Sequence, residues 1–302
     1  MDRRGFIRNT ALISGSTLIA PSLFAQTLTP SKKGDKLTIL HTNDTHSTID
    51  PFPQNHSKYP GMGGVSRRFE LINSIRDSEE HVLLIDAGDV FQGTPYFNKY
   101  KGVLEMKLMK ELGYEAATMG NHDFDAGMEG FRKAFEFADF PFICSNYDFS
   151  NTCLDGLTID KMIIQKGTIK VGLFGLGVEL DGLVSKVNYL ETKYLDPIEI
   201  ANDKARELKE DGCDLVICLS HLGYSYDSDI VSDLKLAKNT ENIHLIIGGH
   251  THTFLDKPTE VLNQNSETVL VNQVGWGGVN VGRIDFEFDS KLFAKKDLIL
   301  VQ

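Results

Sequence analysis

The chain has 302 residues, 41% of them hydrophobic and 24% charged, with 42 acidic against 31 basic side chains and a formal net charge of −11. Such a chain can bury a sizeable core as one large domain or two small ones. Its acidity argues against non-specific nucleic-acid binding, which needs Lys and Arg to neutralise phosphates, so a phosphate ligand would have to be met by metal ions.

The first 25 residues, "MDRRGFIRNTALISGSTLIAPSLFA", have a basic start, a short apolar run and small residues near the end, the pattern of an export signal. Arg3 and Arg4 resemble the twin-arginine type, which implies a bacterial periplasmic or otherwise exported protein. The apolar run is broken by Ser14, Gly15, Ser16 and Pro21, which argues against an uncleaved anchor and limits any membrane contact to the signal. Losing this segment removes three Arg and one Asp and moves the formal charge from −11 to −13.

After a polar linker at 26–34, short apolar runs alternate with helical periodicity. Strands are expected at "KLTIL", "HVLLI", "EAATM", "FPFICS", "KMIIQK", "IKVGLFG", "DLVICLS", "IHLIIG", "TVLVNQ" and "VGRIDFEF". Val65, Phe69, Ile72 and Ile75 repeat at helical spacing, as do Ile198, Ala201, Ala205 and Leu208. "KMIIQKGTIKVGLFG" reads as a hairpin about Gly167, so the sheets are expected to be mixed, in one α/β domain over 35–302. Cys144, Cys153, Cys213 and Cys218 form no CxxC pair, and the spacing leaves a Cys144 to Cys153 disulfide open.

Five of the apolar runs lead straight into polar clusters: "HTNDTH", "DAGD", "GNHD", His221 and "HTH". Ligands of α/β sheets gather at the carboxyl ends of strands, so these clusters are expected to converge. In an extended segment alternate residues share a face, which would aim Asp44 with His46, and His250 with His252, at one point, with His41 and Asn43 turned away. Gly88, Gly120, Gly248 and Gly249 would allow close backbone approach to a charged centre. Adding Asp89, Asn121 and His221 gives a hard-to-borderline donor set suited to zinc, manganese or iron. Seven donors exceed one ion's needs; two divalent ions roughly 3.5 to 4 Å apart, sharing a carboxylate, would use them all, with a charge suited to a hydroxide nucleophile and a phosphate. His56, His81 and His244 read as structural.

Taken in order, "NDTH", "AGDVFQGTP", "GNHDFD", "SHLG" and "GGHTHT" resemble the calcineurin-like metallophosphoesterases, and specifically the catalytic domain of the periplasmic 5'-nucleotidase family. Gln92, where many metallophosphoesterases have an acid, favours the nucleotidase branch, as do "GMGGVSRR" and "GWGGVNVGRIDFEFD". The resemblance implies an αββα sandwich of four layers with two mixed sheets. It implies one ion on Asp44, His46, Asp89 and His252 and a second on Asp89, Asn121, His221 and His250, with His122 and Asp125 as the catalytic pair.

Two-domain members hold the nucleoside with a second domain, whereas this sequence ends at "KKDLILVQ". The expectation is an exported phosphomonoesterase acting on nucleotides or other small phosphate esters, alone or with a separate chain resembling that second domain. Phe52, Tyr59, Tyr96, Tyr224 and Trp276 are candidates for a pocket rim. The alternatives are a cyclic-nucleotide phosphodiesterase, a thiosulfohydrolase-like enzyme, or a metal-bound binding subunit without turnover.

Overall fold

The computed structural model describes residues 34–288 and, as backbone, 292–300. The expected export signal and nearly all of the linker lie outside the described residues. Among the described residues no helix is long and apolar enough to cross a membrane.

In chain order the elements begin with β1 (Asp35–Thr42), α1 (Val65–Ser78), β2 (Val82–Asp86), α2 (Pro95–Tyr100), α3 (Val103–Leu112) and β3 (Ala116–Ala117). A single 3-10 turn at Asn121–Phe124 leads to α4 (Gly127–Phe135), β4 (Tyr147–Asp148), β5 (Lys161–Lys166), β6 (Ile169–Leu176), α5 (Lys186–Tyr189) and β7 (Lys193–Tyr194). Then come α6 (Pro197–Glu210), β8 (Leu215–Ser220), α7 (Asp233–Lys238), β9 (Leu245–Ile247), β10 (Thr259–Leu262), β11 (Thr268–Asn272), β12 (Asn280–Phe288) and β13 (Leu292–Leu300).

One sheet runs β13-β12-β1-β2-β3 and the other β10-β11-β9-β8-β6-β5, both mixed, with β4 and β7 as a separate ribbon. Strand alternation explains why they stack. Leu37, Ile39, Leu83 and Ile85 point to one face of the first sheet and meet Ile169, Val171, Leu173, Leu215, Ile217 and Leu219 of the second. The other faces carry Leu40, Val82 and Leu84, packed with Ile72, Met109 and Phe131 of helices α1, α3 and α4. Val216, Cys218 and Ile246 are packed with Ala201, Ala205 and Leu208 of α6. The central strands β2, β8 and β9 are therefore dry on both faces, and the layers are helix, sheet, sheet, helix, as expected.

The hairpin about Gly167 forms, with β5 antiparallel to β6. "FPFICS" differs from expectation: it makes only isolated bridges, Phe142 to Ala117 and Ile143 to Ile159. Pro141 lies within this stretch and has no N–H to give to a ladder. The four cysteines are free, and burial raises the Cys144 thiol to about 12.

Candidate metal centre

The sheets bring β1, β2, β3, β8 and β9 together with their carboxyl ends on one side, and the residues after each strand converge there. Asp44 and His46 follow β1, Asp89 follows β2, Asn121 and His122 follow β3, His221 follows β8, and His250 and His252 follow β9. Ligand atoms of Asp44, His46, Asp89 and His252 lie within 4.8 Å of one another, and so do those of Asp89, His221 and His250. Asp89 belongs to both groups. Asn121 Oδ1 lies 2.8 Å from His250 Nδ1, which adds it to the second.

The reason for convergence differs from simple strand alternation. Asp44, His46, Asp89, His250 and His252 all take left-handed backbone, with φ of 49°, 46°, 57°, 72° and 52°. These segments are tight turns rather than extended chain. Left-handed backbone costs a non-glycine residue energy, and such strain gathers at functional sites. Backbone bonds between the turns hold it: Asp44 N–H donates to Gly88 O at 2.9 Å and His46 N–H to Asp89 O at 3.0 Å. His41 and Asn43 do turn elsewhere, His41 to Asn272 at 2.9 Å and Asn43 to Gly275 O at 2.9 Å, but Asn43 Nδ2 also donates to Asp44 Oδ2 at 2.6 Å.

Glycine is required where backbone meets the cluster. A Cβ on Gly120 would stand 2.2 Å from Asp89 Oδ1 and 2.6 Å from His221 Nε2, and one on Gly249 would stand 2.8 Å from His221 Nδ1.

Carbonyl contacts fix the imidazoles. His221 Nδ1 donates to Ala87 O at 2.7 Å and His46 Nδ1 to Phe91 O at 3.1 Å. A carbonyl only accepts, so in both rings Nε2 is the atom presented to the cluster. His46 Nε2 and His252 Nε2 face each other at 3.1 Å. His221 Nε2 is buried without a hydrogen bond although Asp89 Oδ2 is 3.1 Å away. An orphaned buried nitrogen, facing imidazoles and a hard-to-borderline donor set are what a divalent cation satisfies. The residues present therefore fit bound divalent metal.

Electrostatics agree. Burial disfavours charge on His221, but Asp89 and Asp44 outweigh it and lift its pKa to about 10. Burial opposes ionisation of Asp89 too, yet His221, His46 and His122 hold it well below the carboxylate range. Burial and the charge of His221 press His250 down to about 4, and burial also lowers His46. The pocket thus favours positive charge against two carboxylates while keeping neutral imidazoles beside them.

His122 stands at the edge, its ring 5.2 Å from that of His46. Its Nδ1 is 2.8 Å from Asp125 Oδ2, and this bond raises its pKa against the opposing effect of partial burial. The sequence reading gave no role to two further carboxylates. Asp123, fully buried, accepts from the N–H groups of Asp89 (3.0 Å), Gly120 (2.8 Å), Val90 (3.1 Å) and Phe91 (3.2 Å), stapling two site turns together. Asp233 accepts from Ser220 Oγ at 2.6 Å and Gln273 Nε2 at 3.0 Å, and Gln273 also donates to Gly249 O. The signal for Asp123 lay inside "GNHDFD"; nothing local marks Asp233.

This architecture points to the class of metal-dependent phosphoesterases, and the chain belongs to the calcineurin-like phosphoesterase family, whose model matches residues 37–254. It is 33% identical over 294 residues to the trifunctional nucleotide phosphoesterase protein YfkN of Bacillus subtilis (strain 168), covering 86% of this chain and 19% of that protein. It is 32% identical to the snake venom 5'-nucleotidase of Crotalus adamanteus, covering 91% of this chain and 49% of that one. The solved 5'-nucleotidase precursor of Thermus thermophilus matches at a TM-score of 0.80 and 34% identity, over 88% of this chain and 54% of that one. The chain is thus a metallophosphoesterase related to 5'-nucleotidases, and spans about half the length, or less, of these relatives.

Proposed function

We propose that the protein is an exported phosphatase that hydrolyses phosphate monoesters, nucleotides first among them, on two divalent ions. The observation that carries this reading is the sharing of Asp89 by two groups of metal-capable side chains with His122 at their edge. In the proposal Asp44, His46, Asp89 and His252 hold one ion, and Asp89, Asn121, His221 and His250 the other. The donor types suit manganese, zinc or iron.

When bound, the ions supply a nucleophile from water and neutralise phosphate charge. The chain's own residues do the rest. Asp89 sets the spacing of the two groups, and the left-handed turns hold the donors before substrate arrives. His122 stands half-exposed at the edge of the donor cluster, its ring 5.2 Å from that of His46, and there its protonated ring would meet the phosphoryl oxygens or give a proton to the leaving alkoxide. Asp125 orients that ring and favours its charged form.

Export rests on the first 25 residues and the twin-arginine pattern. The separate substrate-gripping chain belongs to the same proposal; it would add remote binding energy to a centre whose charge stabilisation is already local. Turnover measured on a nucleoside monophosphate, a cyclic nucleotide and a thiosulfonate tests the reading. Preference for the monoester is expected; preference for either of the others would replace it.

A further inference from the structure

Beside the metal centre stands a group of rings that belongs to none of the three cores. Trp276 lies 6.2 Å from His252 and 6.5 Å from His46, centroid to centroid. Phe52 packs on Trp276 at 5.3 Å and on Tyr59 at 5.7 Å, and Tyr59 stacks on Phe254 at 5.6 Å with planes 24° apart. Core packing does not account for them: no residue of this group is in a buried cluster, and Phe254 is 41% exposed.

The wall is built in advance. The loop carrying Phe52 and Tyr59 closes on itself, Phe52 N–H donating to Met62 O at 2.8 Å and Val65 N–H to Ile49 O at 2.9 Å. Trp276 sits between Gly275 and Gly277, both left-handed, and a Cβ on these glycines would stand 2.2 Å from the Phe254 ring and 2.8 Å from the Phe52 ring. Gly277 N–H donates to Asp44 O at 2.8 Å, which ties the wall to a candidate metal ligand. Rings held rigidly in this way bind a partner ring without an ordering cost.

The two sides of the site differ in chemistry. Beyond Asp125 the cleft is polar, lined by Gln92, Thr94, Asn98 and Lys101. On the His252 side the lining is aromatic. The ester group of a phosphate at the metal centre, directed to this side, would meet these rings, and a planar aromatic group gains most from them.

We propose that Phe52, Tyr59, Trp276 and Phe254 form a stacking site for a planar heterocycle on the leaving group, so that this chain itself selects nucleoside monophosphates over esters without a ring. The site rests on the phosphatase reading for its substrate, but its ring binding does not depend on turnover. A substrate-gripping partner would add to it rather than create it.

Trp276 is the chain's only tryptophan, so its fluorescence reports on the wall directly. Adenosine and ribose are titrated into the metal-loaded protein, and AMP and ribose 5-phosphate are compared as substrates. Adenosine should quench saturably and ribose should not, and AMP should have the higher kcat/KM. Phe254→Leu and Tyr59→Leu should weaken adenosine binding roughly five- to a hundredfold, the range of one lost base–aromatic stack. Phe254→Tyr should restore it. Absence of saturable quenching, or unchanged affinity in folded Phe254→Leu, overturns the stacking site even if AMP is hydrolysed. Quenching that weakens in the variants, in a protein that hydrolyses no ester, supports the stacking site and overturns the phosphatase reading instead.

Discussion

The backbone N–H of His122 donates to Asp89 Oδ1 at 2.8 Å, so the carboxylate common to both candidate metal groups is held by the main chain of the residue proposed to meet the phosphate. Truncating the His122 side chain leaves this bond in place. His122→Ala is therefore expected to keep its metal and lose about 10² to 10⁴ in rate. Metal content measured beside turnover checks it; loss of both ions would make His122 a ligand.

Asp89→Asn should fail differently. The amide removes the shared negative charge and leaves His221 without its closest anion, 3.1 Å away. Metal content should fall from two ions to one or none, with turnover lost in parallel. Two retained ions in the variant would refute the bridging role.

Asp123 is expected to matter to stability as much as to activity. Replacing it by Ala strands four buried N–H groups of the site turns, and should cost about 2 to 5 kcal/mol in unfolding free energy and loosen metal binding. Denaturant melts with and without metal measure this. An unchanged midpoint in metal-free protein would show that the turns hold without the staple.

Acid stability should reflect the ion network at the far side of the first sheet. Burial opposes ionisation of Asp285, but bonds from Arg283, Thr38 and Lys36 outweigh it and hold its pKa below the ordinary aspartate value; Lys36, then Arg283, hold Glu79 below the ordinary glutamate value. Both folded values are depressed, so the stabilisation is present above the ordinary carboxylate range and is lost as pH falls through the folded values. In Asp285→Asn the decline below about pH 4 should be shallower than in the wild type. Melts across the acid range, begun at neutral pH, decide; parallel curves would show that Asp285 contributes nothing to acid lability.

Much of this was legible in the sequence. Both sheets announced themselves because strands dry on two faces read as continuous apolar runs, as in "DLVICLS" and "IHLIIG". The gathering of the seven proposed donors was legible because each polar cluster directly follows its strand, whereas the pairing of His122 with Asp125 was suggested only by the family resemblance. What was hidden depends on contacts far apart in the chain. The left-handed turns at Asp44, His46, Asp89, His250 and His252 are imposed by bonds between loops, whereas the sequence suggested extended alternation. Asp233 reaches the site through Ser220, thirteen residues before it, and Gln273, forty residues on. Of the aromatics expected at a rim, Phe52, Tyr59 and Trp276 gather beside the centre; Tyr96 turns to Asp50 and Tyr224 to Thr259, and Phe254 was missed.

The central claim is that catalysis needs two divalent ions. Protein stripped by a chelator and shown to be metal-free should not hydrolyse an activated phosphate ester, and titrating manganese or zinc back should restore the rate with saturation at two ions per chain. Full activity in the metal-free protein would contradict the account.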